Sequence, residues 1–119
     1  MKSKTLAMAM MVSVAAGVSA DTWWVKKDGG VDADGRGTES APFRTIQYAV
    51  DKAKTGDTIK VLPGVYDEGG KVNVNTTEHT NRVAIVDKQI TVESTGGAAA
   101  THIVGGGKIG DSGIRCVFV

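Results

Sequence analysis

The stretch APFRTIQYAVDKAKTGDTIKVLPGVYDE, residues 41–68, predicts a short helix, a glycine stop and a buried strand. Thr45 is suited to be the helix N-cap. Four apolar residues then recur at the spacing of one helix face: Ile46, Ala49, Val50 and Ala53. Gly56 stands where a helix end favours a left-handed residue, and residues 57–61 switch to the period-two alternation of a strand. This stretch predicts architecture and contains no catalytic constellation.

The first 20 residues predict a signal peptide. Lys2 and Lys4 form a positive segment, residues 6–16 are apolar and small, and Ala20 ends a run of small residues before a cleavage point at Asp21. The apolar run is shorter than the ~20 residues that span a bilayer. We therefore expect a secreted protein, extracellular or periplasmic, with no membrane association after cleavage. An uncleaved anchor is the alternative.

Residues 21–119 have the usual size of one domain. The net charge is +1, and the Lys and Arg residues are scattered, which excludes nucleic acid or an anionic membrane as the main partner. The single cysteine, Cys116, cannot form an internal disulfide, and its apolar surroundings predict a buried core position. His79 and His102 are far apart in sequence and do not indicate a zinc site.

The loop DGGVDADGRG, residues 28–37, allows two interpretations. Asp28, Asp32 and Asp34 lie among glycines, as in loops that supply carboxylate oxygens to calcium. The loop lacks the further spaced oxygens and the terminal bidentate Glu of the calcium-loop template. Asp and Gly are also the residues of tight turns, which favours a structural loop. No metal or cofactor site is assigned from it.

After Tyr66, the chain consists of short strand-like runs separated by glycine-rich or polar breaks, with no further helix. The predicted strands are residues 22–26, 58–62, 72–75, 82–86, 90–94, 101–104 and 113–119. The predicted inward residues are Ile59 and Val61, Ile90 and Val92, and Ile114, Cys116 and Phe118. The predicted outward residues are Lys60, Thr91, Glu93 and Arg115. These sets recur about every 25 to 30 residues, within the range typical of solenoids.

At this point the sequence resembles the entry segment of the pectate-lyase-like right-handed parallel β-helix proteins. The resemblance extends from about Trp24 to Glu68 and continues more weakly beyond. It rests on Gly37-Thr38, Pro42-Phe43, Thr45-Ile46-Gln47, Ala49-Val50, Ala53, Gly56-Asp57-Thr58-Ile59, Val61, Pro63-Gly64 and Tyr66. The resemblance implies a mainly β fold, a right-handed parallel β-helix of the pectin-lyase type with a short N-terminal capping helix. Residues 22–56 would form the cap and residues 57–119 the first coils.

A cap is expected on physical grounds as well, because an open first coil exposes apolar interior and unpaired backbone. Phe43, Ile46, Val50 and Ala53 are suited to cover it. Residues 57–119 allow about two and a half coils, whereas repeat stacks generally need at least three. The sequence also ends inside a predicted strand. We therefore expect the β-helix to be incomplete at the C-terminus, a fragment of a longer protein, with a complete small β-domain as the alternative.

The resemblance implies a polysaccharide-active protein, in the first place a lyase on acidic glycans. In such lyases calcium bridges acidic side chains and the uronate carboxylate, and an Arg or Lys removes the proton. The charged candidates in or beside the strands are Glu93, Asp87, Lys88 and Arg115, and nothing in the sequence places them together. The fragment is expected to lack the active site, so no catalytic residue is assigned.

Two alternatives to the lyase stay open. One is a polygalacturonase-type hydrolase, which needs two carboxylates that flank the scissile bond. Asp51 and Asp57 are the nearest pair, but the helix and its exit turn are an unsuitable place for them. The other is a non-catalytic β-helix, an adhesin, carbohydrate-binding or structural repeat protein, because one fold hosts many functions.

Overall fold

A computed structural model describes residues 20–72, 79–107 and 113–119. The predicted signal peptide, except Ala20, and residues 73–75 of a predicted strand lie outside these ranges. The described chain is mainly β, with one helix. Its elements in order are β1 (Thr22–Val25), α1 (Ile46–Lys52), β2 (Thr58–Val61), β3 (Gly64–Tyr66), β4 (Lys71–Val72), β5 (Thr80–Ala84), β6 (Thr91–Ser94), β7 (Thr101–Ile103) and β8 (Ile114–Phe118).

The strands form three small sheets. The first sheet has the order β1-β2-β6, the second pairs β3 with β7, and the third has the order β4-β5-β8. All pairings are parallel except that of β4 with β5. Strands β2, β3 and β5 therefore enter the first, second and third sheets in turn, and β6, β7 and β8 then repeat that order.

The separation of paired residues along the chain is longer than the sequence pattern predicted. Thr58 pairs with Thr91 at a separation of 33 residues, and Gly64 pairs with Thr101 at a separation of 37. The predicted recurrence of 25 to 30 residues is therefore wrong. Strand β3 accounts for part of the error, because its three residues after Pro63 were predicted only as a turn. So short an element shows too little alternation to be recognised.

The helix begins where the sequence predicted and ends earlier. The Thr45 hydroxyl accepts a hydrogen bond from the Tyr48 N–H at 3.4 Å, which is the predicted N-cap. The last helical residue is Lys52, and the extended backbone of Ala53 ends the helix before Gly56 is reached. Gly56, with φ of 99°, instead lies in the turn that the Asp57 N–H closes on the Lys54 carbonyl at 2.9 Å.

The core lies between the helix and the inner side of the first sheet. Phe43, Ile46, Val50 and Ala53 are buried, as predicted for the cap, together with Ala49. On the sheet side, the buried residues include Val25, Ile59, Val61 and Val83. Burial of each large aliphatic side chain contributes about 1.5 to 3 kcal/mol. The helix is therefore held by its apolar face, since seven residues are too few for a stable isolated helix.

Two strand edges are covered at this end of the molecule. The outer edge of β1 bonds to residues 37–43, through Trp24 N–H to Gly37 O at 2.8 Å and Phe43 N–H to Trp24 O at 2.9 Å. Strand β5 is covered by β4 and, at Ala84, by the side chain of Gln47. Such cover blocks edge-to-edge association. Strand β1 itself pairs with β2, so strand pairing begins before the helix.

The prediction that Cys116 is buried is wrong, because its side chain is exposed. The register of β8 explains the difference. Val117 pairs with Val83, whose side chain lies in the core. Since side chains alternate along a strand, Cys116 points to the opposite face from Val117, together with Ile114 and Phe118. In the described ranges, no helix is both long and apolar enough to cross a membrane.

Candidate functional site

The outer face of the first sheet brings together polar and aromatic side chains from three distant parts of the chain. Alternation places Trp23, Val25, Ile59 and Val61 toward the core, so their neighbours point outward. We call this surface the Trp24 face. It consists of two cross-strand rows, Thr22-Thr58-Thr91 and Trp24-Lys60-Glu93, each made of register partners.

Lys60 is the centre of the second row. Its Nζ lies 6.0 Å from the centroid of the Trp24 ring, within cation–π range. The same atom donates to Glu93 Oε2 at 2.7 Å. The Lys60 and Glu93 side chains are 33% and 48% exposed, so the pair stays accessible to a ligand. An exposed ion pair contributes at most about 1 kcal/mol to stability, and the fold does not depend on it.

The first row adds hydroxyl groups beside the charged one. Thr58 is half-buried, whereas Thr22 and Thr91 are exposed. β-branched residues favour strands, and a threonine at each register position also presents a hydroxyl that donates and accepts hydrogen bonds. The Trp24 face therefore offers an aromatic ring, an ammonium, a carboxylate and three hydroxyls on a shallow surface.

Of the four charged residues that the sequence analysis singled out, only Glu93 lies on this face. Lys88 donates its Nζ to the carbonyls of Val50 and Ala53, each at 2.8 Å, and thereby caps the end of the helix. Asp87 and Lys88 both line an open depression of about 570 Å³ beside the helix end. Arg115 lies on β8 of the third sheet, with its guanidinium 5.9 Å from the Phe118 ring centroid.

Asp57 is one of the most buried polar residues of the described chain, with 2% of its surface exposed. Its carboxylate accepts from the backbone N–H of Asp21 at 2.9 Å, the indole Nε1 of Trp23 at 3.0 Å and the backbone N–H of Lys54 at 2.9 Å. Burial by itself raises the pKa of this carboxyl, but the three donors outweigh it and the net pKa is lowered. The residue fastens the exit turn of the helix to β1.

Asp51, the other member of the carboxylate pair considered for a hydrolase, is exposed on the helix. Its carboxylate accepts from Gln47 Nε2 at 2.9 Å and from Lys71 Nζ at 3.1 Å. Asp57 is enclosed by its three donors, whereas Asp51 is tied to the helix surface. The two carboxylates are therefore in contrasting environments and do not form a cleft for a glycosidic bond.

The aspartates of the 28–37 loop are bonded mainly to protein donors. Asp32 accepts from the N–H groups of Arg44 and Thr45 at 2.8 and 3.0 Å, and from the Thr45 hydroxyl at 2.6 Å. Asp34 pairs with Lys52, whose hydrogen bond lowers the pKa of that carboxyl. These bonds fasten the loop to the start and end of the helix. Across residues 20–72, 79–107 and 113–119, no group of three or more His, Cys, Asp or Glu side chains could hold a metal ion.

Sequence reasoning missed Trp24 as a site residue and did not place Lys60 beside Glu93. The alternation of β1, with Val25 buried, was the available signal that Trp24 points outward. The contact of Lys60 with both neighbours depends on register over 33 and 36 residues, and no local pattern encodes it.

A comparison with protein families gives one match. Residues 29–74 match a family described as a protein of unknown function, DUF1565. That domain is associated with parallel β-helix proteins. The matched segment includes the helix, β2 and β3, which is most of the region where the sequence resembles a β-helix entry segment. No curated protein and no solved structure matched the chain.

Proposed function

We propose that this chain is an exported, right-handed parallel β-helix protein that binds polysaccharide through the Trp24 face. The fold part is supported by the repeated visit to three sheets in the same order and by the matched domain's association with β-helix proteins. Right-handedness follows from the general rule that about 98% of crossovers between parallel strands of one sheet have that hand. Export is supported by the composition of residues 1–20.

The observation that carries the binding proposal is the row of Trp24, Lys60 and Glu93 across three parallel strands. The C–H face of a sugar ring packs on an indole, which offers apolar area with little loss of side-chain entropy. The neighbouring ammonium donates to sugar hydroxyls, and the carboxylate accepts from them. Hydrogen bonds to charged groups are stronger than neutral ones, about 1.5 to 3 kcal/mol each.

The charge of the row favours an uncharged chain. Lys60 is already paired with Glu93, so the row has no surplus positive charge, and Glu93 repels a uronate carboxylate placed beside it. We therefore expect neutral polysaccharide to bind with little dependence on salt. An acidic-glycan lyase needs surplus cationic charge at the reacting sugar. Glu93 is the one candidate from the sequence analysis that lies on this face.

Affinity gel electrophoresis tests this proposal with three polymers in the gel: hydroxyethyl cellulose as the neutral one, and polygalacturonate and alginate as the acidic ones. The protein is run beside Trp24→Ala, Lys60→Met and the control Lys71→Met, which removes a lysine paired with Asp51 instead. We expect hydroxyethyl cellulose to retard the protein and the control, with at least a tenfold weaker effect on Trp24→Ala.

Three results would contradict the proposal. Retardation that is equal in the protein and in Trp24→Ala would place binding elsewhere. Absence of retardation by every polymer would remove the binding function. Calcium-dependent absorbance of unsaturated uronate products would replace binding by lyase activity.

A further inference from the structure

The buried carboxylate of Asp57 has a partner at the position where the sequence predicts cleavage. Asp57 Oδ1 accepts a hydrogen bond from the backbone nitrogen of Asp21 at 2.9 Å. Asp21 is the first residue after the predicted signal peptide. The bond joins a residue at the start of the described chain to one 36 positions later.

Asp21 is held from a second side. Its carbonyl accepts from the backbone N–H of Thr58 at 2.9 Å, directly ahead of the pairing of β1 with β2. Both hydrogen-bonding groups of the Asp21 backbone are therefore anchored to consecutive residues of the β2 entry. The nitrogen atom is fixed toward Asp57, while Ala20 and the Asp21 side chain are exposed.

We propose that removal of residues 1–20 turns this hydrogen bond into an ion pair, so that the new N-terminal ammonium of Asp21 binds the buried carboxylate of Asp57 and stabilises the processed fold. The inference rests on the proposed export. Water adds across the Ala20–Asp21 peptide bond, leaving a carboxylate on Ala20 and an amine on Asp21. At neutral pH that amine takes up a proton, because free α-amino groups have pKa values of about 7.7 to 8.0.

The surroundings of Asp57 explain why the new charge has a large effect. A carboxylate with 2% exposure is costly when it is compensated only by neutral donors, and two of its present donors are neutral N–H groups of Trp23 and Lys54. An ammonium at the third position supplies a full opposite charge at hydrogen-bond distance. The Lys54 side chain also acts on Asp57 by its charge, and the exposed Asp21 carboxylate is the other ionisable group at the new terminus.

The first part of the test identifies the terminus and its amine. The full-length chain is produced with export, and the first residue of the released protein is determined by mass spectrometry. The N-terminal amine is then acylated at a series of pH values, in the folded protein and in urea. We expect Asp21 as the first residue. We also expect the folded amine to react about tenfold more slowly at pH 8, which corresponds to a rise of about one pKa unit.

The second part measures stability against pH. The raised amine pKa means that the pair stabilises fully below about pH 7.7 and that its contribution is lost as the pH rises through the raised value. Thermal melts from pH 7 to 10 should therefore show a steeper fall for the released protein than for Asp57→Asn. Asp51→Asn, which removes an exposed carboxylate from the helix, should behave as the unchanged protein does.

The outcomes separate the inference from the proposal on which it rests. A protein that is retained uncleaved contradicts export and the ion pair together. A released protein that begins at another residue contradicts the ion pair alone. A protein that begins at Asp21, but whose folded amine titrates and reacts as it does in urea, also contradicts the ion pair alone. The acylation comparison needs no variant, so it decides the question even if Asp57→Asn fails to fold.

Discussion

The side-chain amide of Gln47 pairs with both backbone groups of Ala84. Its Oε1 accepts from the Ala84 N–H at 2.6 Å, and its Nε2 donates to the Ala84 carbonyl at 3.2 Å. The amide thus takes the place of a neighbouring strand at the end of β5, where β4 no longer reaches. The helix therefore covers the third sheet by hydrogen bonds as well as by apolar contact.

Replacement of this amide should destabilise the fold without a change in volume. Gln47→Met leaves the N–H and carbonyl of Ala84 buried without their partner, and we expect a loss of about 1 to 3 kcal/mol in the free energy of unfolding. Urea denaturation measures it. Gln89→Met, at an exposed position, is the control and should change stability by less than about 0.5 kcal/mol. Equal curves for the two variants would contradict the role of Gln47.

Ile46 tests the apolar face of the helix. Its side chain is 2% exposed. Ile46→Asp buries an unpaired charge, and we expect loss of secreted protein or aggregation, since such changes cost more than about 3 kcal/mol. Ile46→Val is the matched control and should cost about 0.5 to 1.5 kcal/mol. An unchanged melting curve and a monomeric elution profile for Ile46→Asp would refute the capping role of the helix.

Gly30 marks a place where two backbone segments meet. A β-carbon there would lie 2.1 Å from the Lys26 carbonyl oxygen and 2.4 Å from that of Phe43. Gly30→Ala should therefore displace the loop from β1 and lower the melting temperature strongly. Gly29→Ala faces open space and carries only the strain of a φ of 89°, about 1 to 2 kcal/mol. Similar melting temperatures for the two variants would show that the close approach is absent in solution.

Asp57 should make the fold sensitive to acid. Its lowered pKa means that its contribution to stability is present above the ordinary carboxyl value and is lost as the pH falls through the lowered one. Thermal melts from pH 6 to 2 should therefore show a smaller decline for Asp57→Asn than for the unchanged protein. The opposite order would mean that burial outweighs the three hydrogen-bond donors.

Local sequence patterns predicted much of the fold. The spacing of Ile46, Ala49, Val50 and Ala53 identified the helix, and Thr45 identified its start, because these signals lie within one or two turns. Strands β1, β2, β6 and β8 were also predicted, to within a residue or two at each end. The end of the helix was misplaced, because a left-handed glycine serves a tight turn as well as a helix terminus, and Gly56 has the former role.

The candidate site was predictable only in part. Alternation identified Lys60 and Glu93 as outward residues, but not as neighbours of each other or of Trp24. Their contact depends on how many residues separate successive strands of one sheet, and that number is set by β3 and the loops. The exposure of Cys116 has the same origin, since a shift of one position in register moves every side chain of a strand to the other face.

The most direct test of the Trp24 face is a chemical-shift map of the ¹⁵N-labelled protein titrated with cellohexaose. The account predicts that the largest shifts fall together in three separate segments, residues 22–24, 58–60 and 91–93, with the Trp24 indole N–H among them. Lys71, on another sheet, should not move. Shifts confined to other residues, or shifts in one of the three segments without the other two, would contradict the claim that these strands form a single binding face.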